Sequence, residues 1–126
     1  MKVAGIGCRA GVDVGDVLAA IDAALYAHAL GRGMLTAIAT VPQKADETAL
    51  ADAARALGLK LIVADPDQLE RVRQKIVTRS VASLAATGFD SAAEAAALAV
   101  AGAESALLGP RIAVGDVTCA IAEAGR

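Results

Sequence analysis

Lys2-Val3-Ala4-Gly5-Ile6-Gly7-Cys8-Arg9-Ala10-Gly11, followed by a helical pattern from Asp13, decides how this 126-residue chain is read. The apolar run from Lys2 to Gly7 has the build of a buried strand. It ends in a turn holding glycines, a thiol and a guanidinium. Glycine lets backbone approach a ligand closely and adopt positive φ at no steric cost. A helix that starts just behind such a turn offers unpaired N–H groups and a partial positive charge, which suits an anion. Arg9 adds a permanently charged fork matched to carboxylate or phosphate. The stretch therefore predicts an anion-recognition loop at the carboxyl end of the first strand. Gly5, Gly7, Cys8, Arg9 and Gly11 are its candidate ligand-binding residues.

The same stretch argues against a nucleotide site. A dinucleotide fingerprint needs its third glycine one position earlier than Gly11, and an acidic residue about 20 positions on. That region reads Gly31-Arg32-Gly33 instead, and no Walker-type lysine follows the loop.

Working outward, Val14, Val17, Leu18, Ile21 and Leu25 recur at helical spacing. The spacing predicts a helix from Asp13, its N-cap, to Leu30, with Gly31 as the stop. Met34 to Val41 reads as a second strand ended by Pro42. A helix carrying Leu50, Ala53, Ala54 and Leu57 follows, then a third strand from Leu59 to Ala64. Asp65-Pro66-Asp67-Gln68 and Ser91-x-x-Glu94 are capping-box starts, and Ser80 caps a short helix stopped by Gly88. Ser105 to Leu108 is the fourth strand. Val117 to Ala122 is the fifth, entered through a Gly115-Asp116 hairpin turn from Arg111 to Val114. Early β-α-β-α-β alternation implies parallel strands with helices on both faces, and the late hairpin adds an antiparallel member. The fold expected is α/β: one three-layer α/β/α domain over residues 1–126, with a mixed, mostly parallel sheet of about five strands.

Composition narrows the partners. The net charge is −2 and aromatic residues make up only 2%, so both the phosphate term and the stacking term of nucleic-acid binding are missing. No uninterrupted apolar run is long enough for a bilayer, and Met1 to Gly5 lacks a signal-peptide build, so a cytoplasmic protein is expected. Cys8 and Cys119 are expected as free thiols, and the lone His28 with two distant cysteines forms no metal-ligand spacing. No metal and no cofactor are expected.

Ligands in such sheets bind beyond the carboxyl ends of strands. The segments leaving those ends supply Arg9 and Lys44, and also Arg111 if the fourth strand runs the same way, a set suited to a ligand with several carboxylates. Lys44 is open to a second reading as a surface partner of Glu47, and Arg111 to one as an ordinary loop charge. Glu94 is either the N3 member of its capping box, with ligand contact as a secondary role, or a general acid or base at a helix start. Cys8 is either a packing thiol or a nucleophile with a lowered pKa. His28, at the edge of its helix's apolar stripe, reads as a packing or capping group, with a catalytic base as the alternative.

Taken in order, these segments resemble the CobE / CbiG C-terminal-domain family of cobalamin biosynthesis. Gly5-x-Gly7-Cys8-Arg9-x-Gly11 is similar to that family's opening, and Ala39-Thr40 with Lys44-x-Asp46-Glu47 to its second element. Thr87-Gly88 with Ala93-Glu94-Ala95-Ala96-Ala97-Leu98 resembles the third. Leu107-Leu108 with Val117-Thr118-Cys119-Ala120-Ile121-Ala122 resembles the ending. Ala10 and Pro110-Arg111 depart from positions where the family commonly carries a second basic residue and a lysine. The resemblance implies binding or processing of a corrin-ring precursor, a precorrin-type tetrapyrrole rich in acetate and propionate arms. Other pathway enzymes are implied as possible partners. Longer members, which carry further domains, are associated with hydrolysis of the cobalt-precorrin-5A lactone, and Cys8 or Glu94 would be the catalytic candidates for such a hydrolase. This chain resembles the stand-alone form. An interaction module without a small-molecule ligand is the third reading, which the Gly-Arg loop disfavours.

Overall fold

The structure, a computed structural model, describes residues 1–125. Its elements run β1 (Lys2–Cys8), α1 (Val14–Ala27), β2 (Ala37–Thr40), α2 (Thr48–Leu57), β3 (Lys60–Val63), α3 (Pro66–Val72), α4 (Val81–Thr87), α5 (Ala92–Ala101), β4 (Ala106–Leu107), β5 (Ile112–Val114) and β6 (Val117–Glu123). The sheet order is β3-β2-β1-β6-β4, with β5 also paired to β6. Helices cover both faces, as the alternation predicts.

The balance within this mixed sheet comes from β6. The β1–β2 and β2–β3 pairings are parallel, whereas β6 pairs antiparallel with β1, β4 and β5. The last strand therefore lies inside the sheet and contributes more antiparallel pairing than an edge hairpin would. β4 and β5 share one lane beside β6. Leu108 N–H still reaches Ile121 O at 2.9 Å, then Gly109-Pro110 breaks the lane until Ile112 pairs with Cys119. Proline has no N–H to give a ladder, so a split strand is the expected result. Gly115, at φ 58, takes the first central position of the two-residue turn between β5 and β6.

The two faces of the sheet differ in side-chain size. Ala4, Ile6, Ile38, Cys119 and Ile121 point toward α1 and α2 and pack with Val17, Ile21 and Leu50. The opposite face carries Val3, Ala39 and Ala122 under α5. Register places Ala39, Gly5 and Ala120 side by side across three strands. A Cβ at Gly5 would lie 2.0 Å from Ala93 O and 2.6 Å from Ala97 N. Gly5 is thus the seat of an alanine-rich helix in which every residue but Val100 is buried.

Several element ends differ from expectation for local reasons. Asp13 stands at the N-cap of α1 without a side-chain cap bond. The helix stops at Ala27, not Leu30, because Ala29 adopts φ 56 and closes a Schellman turn: Leu30 N–H to Leu25 O at 2.9 Å and Ala29 N–H to Tyr26 O at 3.1 Å. Gly31 has no part in that stop. α2 ends in the same motif on Gly58 at φ 68. Residues 32–34 form a 3-10 turn, which delays β2 to Ala37. Asp65, Ser80 and Ser91 each cap their helices through the side chain.

Two substitutions test this packing by chemical denaturation. Gly5→Ala forces its methyl into the α5 backbone and is expected to cost roughly 3 kcal/mol or prevent folding. Ala29→Gly relieves an exposed left-handed alanine and is expected to stabilise by about 1 kcal/mol. A neutral Gly5→Ala would mean that α5 is free to rise off the sheet.

Candidate functional site

The carboxyl end of β1, the start of α5, α4 and the β5–β6 hairpin enclose a cleft of about 440 Å³. Gly7, Cys8 and Arg9 reach it from β1, and Lys44 from the 3-10 turn that Pro42 opens after β2. Arg111, Asp116 and Thr118 reach it from the hairpin side. Ala82, Ala86, Ala92 and Ala113 give it small apolar walls. A Cβ at Gly7 would meet Thr118 Oγ1 at 2.8 Å and Ala92 Cβ at 3.5 Å, so the glycine keeps the floor between β1, β6 and α5 open. Ala92 opens α5, so the positive end of that helix adjoins the cleft.

The three cations named from sequence, Arg9, Lys44 and Arg111, all line this one cleft. Their electrostatic situations differ. Arg9 is engaged: its Nε lies 3.6 Å from Asp116 Oδ1 and its N–H donates to Asp116 O at 3.1 Å. The side chain of Arg9 is 81% exposed and that of Asp116 63%, so the pair is well screened and weak. Lys44 and Arg111 have no carboxylate within ion-pair distance among the described residues. The alternative pairing of Lys44 with Glu47 is not made; Glu47 Oε2 instead accepts from Gly11 N–H at 3.2 Å.

Other candidates lie elsewhere. Gly5 is buried beneath α5 and does not face the cleft. Gly11 sits in the exposed turn before α1 and does not line it. His28 is the C-cap of α1, and a Cβ at Gly109 would lie 2.8 Å from its Cε1, so the imidazole packs on the β4–β5 break and not in the cleft.

Glu94 needs the largest correction. Ser91 Oγ accepts from Glu94 N–H at 3.2 Å, but the carboxylate does not return the bond in a capping box. It is fully buried and turned to two loops. Its Oε1 accepts from Val77 N–H at 2.8 Å and Thr78 N–H at 3.1 Å. Its Oε2 accepts from Arg111 N–H at 3.0 Å and from the Thr78 hydroxyl. Four donors occupy the carboxylate's acceptor sites. Glu94 is absent from the cleft lining, so its carboxylate lies behind the wall and not on the cleft surface.

Cys8 lines the cleft but is not activated. Burial pushes its thiol pKa up, Glu47 pushes it further up, and Lys44 opposes them. The expectation of a lowered pKa fails because desolvation outweighs the nearby cation. Burial also raises the Cys119 thiol, which is fully enclosed in β6. No group of three or more metal-ligating side chains exists among the described residues. No single helix among them is long and apolar enough to cross a membrane.

Sequence reasoning missed Asp116 as the partner of Arg9, and α4 as a cleft wall. The signal for α4 was present: Ala82, Ser83, Ala86 and Thr87 put small residues on one helical face, with Val81, Leu84 and Ala85 opposite.

A family model described as Cobalamin synthesis G C-terminus matches residues 2–122. Protein CobE of Sinorhizobium sp. is 30% identical over 120 residues, which cover 95% of this chain and 78% of that protein. The crystal structure of CobE, a protein from the cobalamin (vitamin B12) biosynthetic pathway, superposes with a TM-score of 0.90 at 32% identity. That match covers 97% of this chain and 89% of the other. Cobalamin biosynthesis protein chiG from Agrobacterium tumefaciens is 45% identical with full coverage of both chains and a TM-score of 0.79. A cobalamin biosynthesis protein G homolog from Sulfolobus solfataricus shares the fold at 21% identity and a TM-score of 0.73, with 36% of its length covered.

The thiol environments give a direct test. With Ellman's reagent, Cys8 is expected to react more slowly near neutral pH than an unburied thiol, its rate still climbing beyond pH 9. Glu47→Gln removes a group that raises the pKa and should speed the reaction; Lys44→Gln should slow it. Cys119 should react only on unfolding. A Cys8 rate that levels off below pH 8 would restore the activated-thiol reading.

Proposed function

The chain belongs to the Cobalamin synthesis G C-terminus family, and from that premise we propose that its cleft holds a corrin-ring precursor by the carboxylate arms of the macrocycle. The observation that carries this reading is the convergence of Arg9, Lys44 and Arg111, from three separate segments, on one cleft with alanine walls. A cation without a protein partner, at the rim of an apolar hollow, suits a ligand that brings its own negative charge. Among the described residues, Lys44 and Arg111 have that character. Arg9 exchanges its weak bond to Asp116 for a stronger one to the ligand.

Size sets the orientation. A drug-sized ligand occupies a pocket of roughly 300–1,000 Å³, and a tetrapyrrole bearing acetate and propionate arms exceeds that class. A cleft of about 440 Å³ therefore takes one edge of the ring and its arms, not the whole macrocycle. Holding, not independent turnover, is what the residues support. The Cys8 thiol has a raised pKa, and the Glu94 carboxylate is occupied by internal donors.

Titration with hydrogenobyrinic acid, followed by visible absorbance, tests the proposal. Lys44→Ala and Arg111→Ala should each weaken binding about tenfold or more, from the loss of a charge-assisted hydrogen bond worth roughly 1.5–3 kcal/mol. Arg9→Ala should cost less, since that residue must first leave Asp116, and Asp116→Asn should tighten binding. Affinity should fall as salt rises. A Lys44→Ala/Arg111→Ala double variant that binds like wild type would remove the cleft from consideration.

A further inference from the structure

Arg111 is unusual in how its backbone is held. The β4–β5 lane leaves β6 after Leu108 and rejoins it at Ile112. Between them the Arg111 N–H donates to no strand; it donates to Glu94 Oε2 at 3.0 Å. The same carboxylate takes the N–H groups of Val77 and Thr78 and the Thr78 hydroxyl, on the segment that leads into α4. α4 supplies one wall of the cleft and Arg111 part of another. Glu94 itself sits on α5, which is seated on β1 at Gly5.

We infer that Glu94 is a positioning residue: its buried carboxylate ties the α4 wall and the Arg111 wall to α5, so that both keep a fixed spacing from the floor of the cleft. It contributes to ligand affinity through Arg111 and α4 while touching no ligand. The inference deepens the corrin-binding reading and rests on it for its affinity readout, but not for its exchange readout. The chemistry specifies glutamate. Glutamine keeps the shape and keeps one oxygen on the Val77 and Thr78 amides. Its NH2 then faces the Thr78 hydroxyl, which can turn to accept, and the Arg111 N–H, which cannot. Glu94→Gln therefore cuts the Arg111 tie selectively.

Two measurements on wild type, Glu94→Gln, Arg111→Ala and the double variant decide the matter: titration with hydrogenobyrinic acid, and amide hydrogen exchange without ligand. Glu94→Gln should weaken binding about tenfold, and adding Arg111→Ala should cost little more, since both act on the same contact. Ser91→Ala removes the α5 cap but leaves the carboxylate alone. It should lower the melting temperature and leave affinity within about twofold, which separates positioning from general stability. In exchange, the Arg111 amide should lose protection in Glu94→Gln while β1 and β6 amides keep theirs. Fully multiplicative losses in the double variant, or an Arg111 amide as protected as in wild type, would overturn the inference. If wild type does not bind the probe, the corrin reading falls and exchange alone judges the tie. If Glu94→Gln does not fold, Thr78→Val removes one donor on the α4 side. Faster exchange at Val77 and Thr78 with weaker binding is then the supporting result, and no change in either is the opposing one.

Discussion

A Cβ at Gly5 would stand 2.0 Å from the carbonyl oxygen of Ala93, so α5 rests on bare backbone. Ala39 and Ala120, the register neighbours of Gly5 on either side, extend that low seat across three strands. Dispersion falls off steeply with distance, so a helix of small residues holds to a sheet only when both surfaces are small enough to meet. The closeness of α5 fixes where its first turn lies, and that turn is the floor of the cleft at Ala92. It also carries Glu94 to the depth at which one carboxylate reaches the segments of Val77, Thr78 and Arg111. The glycines of the opening motif thus divide their work. Gly5 seats a helix, Gly7 keeps the cleft floor clear, and Gly11 turns the chain toward α1.

The charges divide as well. Away from the cleft, Arg32 pairs with Asp22, Arg55 with Asp52, Arg73 with Glu70 and Arg79 with Asp90. Lys75 is spent on the carbonyls of Ala103 and Ser105. Arg73 Nη1 also holds Gly88 O at 2.7 Å and lies over the Phe89 ring, fixing the far end of α4. Within the cleft and among the described residues, only the Arg9 side chain pairs with a carboxylate, and that pair is exposed to water. Lys44 and Arg111, which have no carboxylate partner among the described residues, thus lie where small apolar walls and a helix start already meet.

Much of this was legible in the sequence because it is local. The β1 pattern, the Gly115-Asp116 turn, and the Asp65, Ser80 and Ser91 caps depend on neighbours a few positions apart, and each forms where read. Arg9 and Lys44 could be brought together from the parallel direction of their strands, whereas Arg111 joined them only on the condition that β4 runs the same way, which its antiparallel pairing to β6 meets. What was not legible is non-local. Nothing near Glu94 in sequence announces that its carboxylate reaches back to Val77 and forward to Arg111 rather than to its own helix start. Cys8 could not be assigned a pKa direction without knowing how much of it is enclosed. The end of α1 was misplaced because Ala29 takes a conformation for which glycine is the usual signal, and Gly31 stood close by as a decoy.

The placement of β6 has a kinetic consequence. It is among the last strands made, yet it lies between β1 and the β4–β5 lane. Thr118 Oγ1 donates to Gly7 O across a separation of 111 residues. During synthesis the parallel β1–β2–β3 half emerges first, with one side of β1 unpaired, and α5 follows with a seat only partly built. The sheet closes when residues 117–123 arrive and insert beside β1. Pairings of such long range are entropically slow to nucleate, so this sheet matures only once residues 117–123 have been made, and until then the open flank of β1 is its most vulnerable surface.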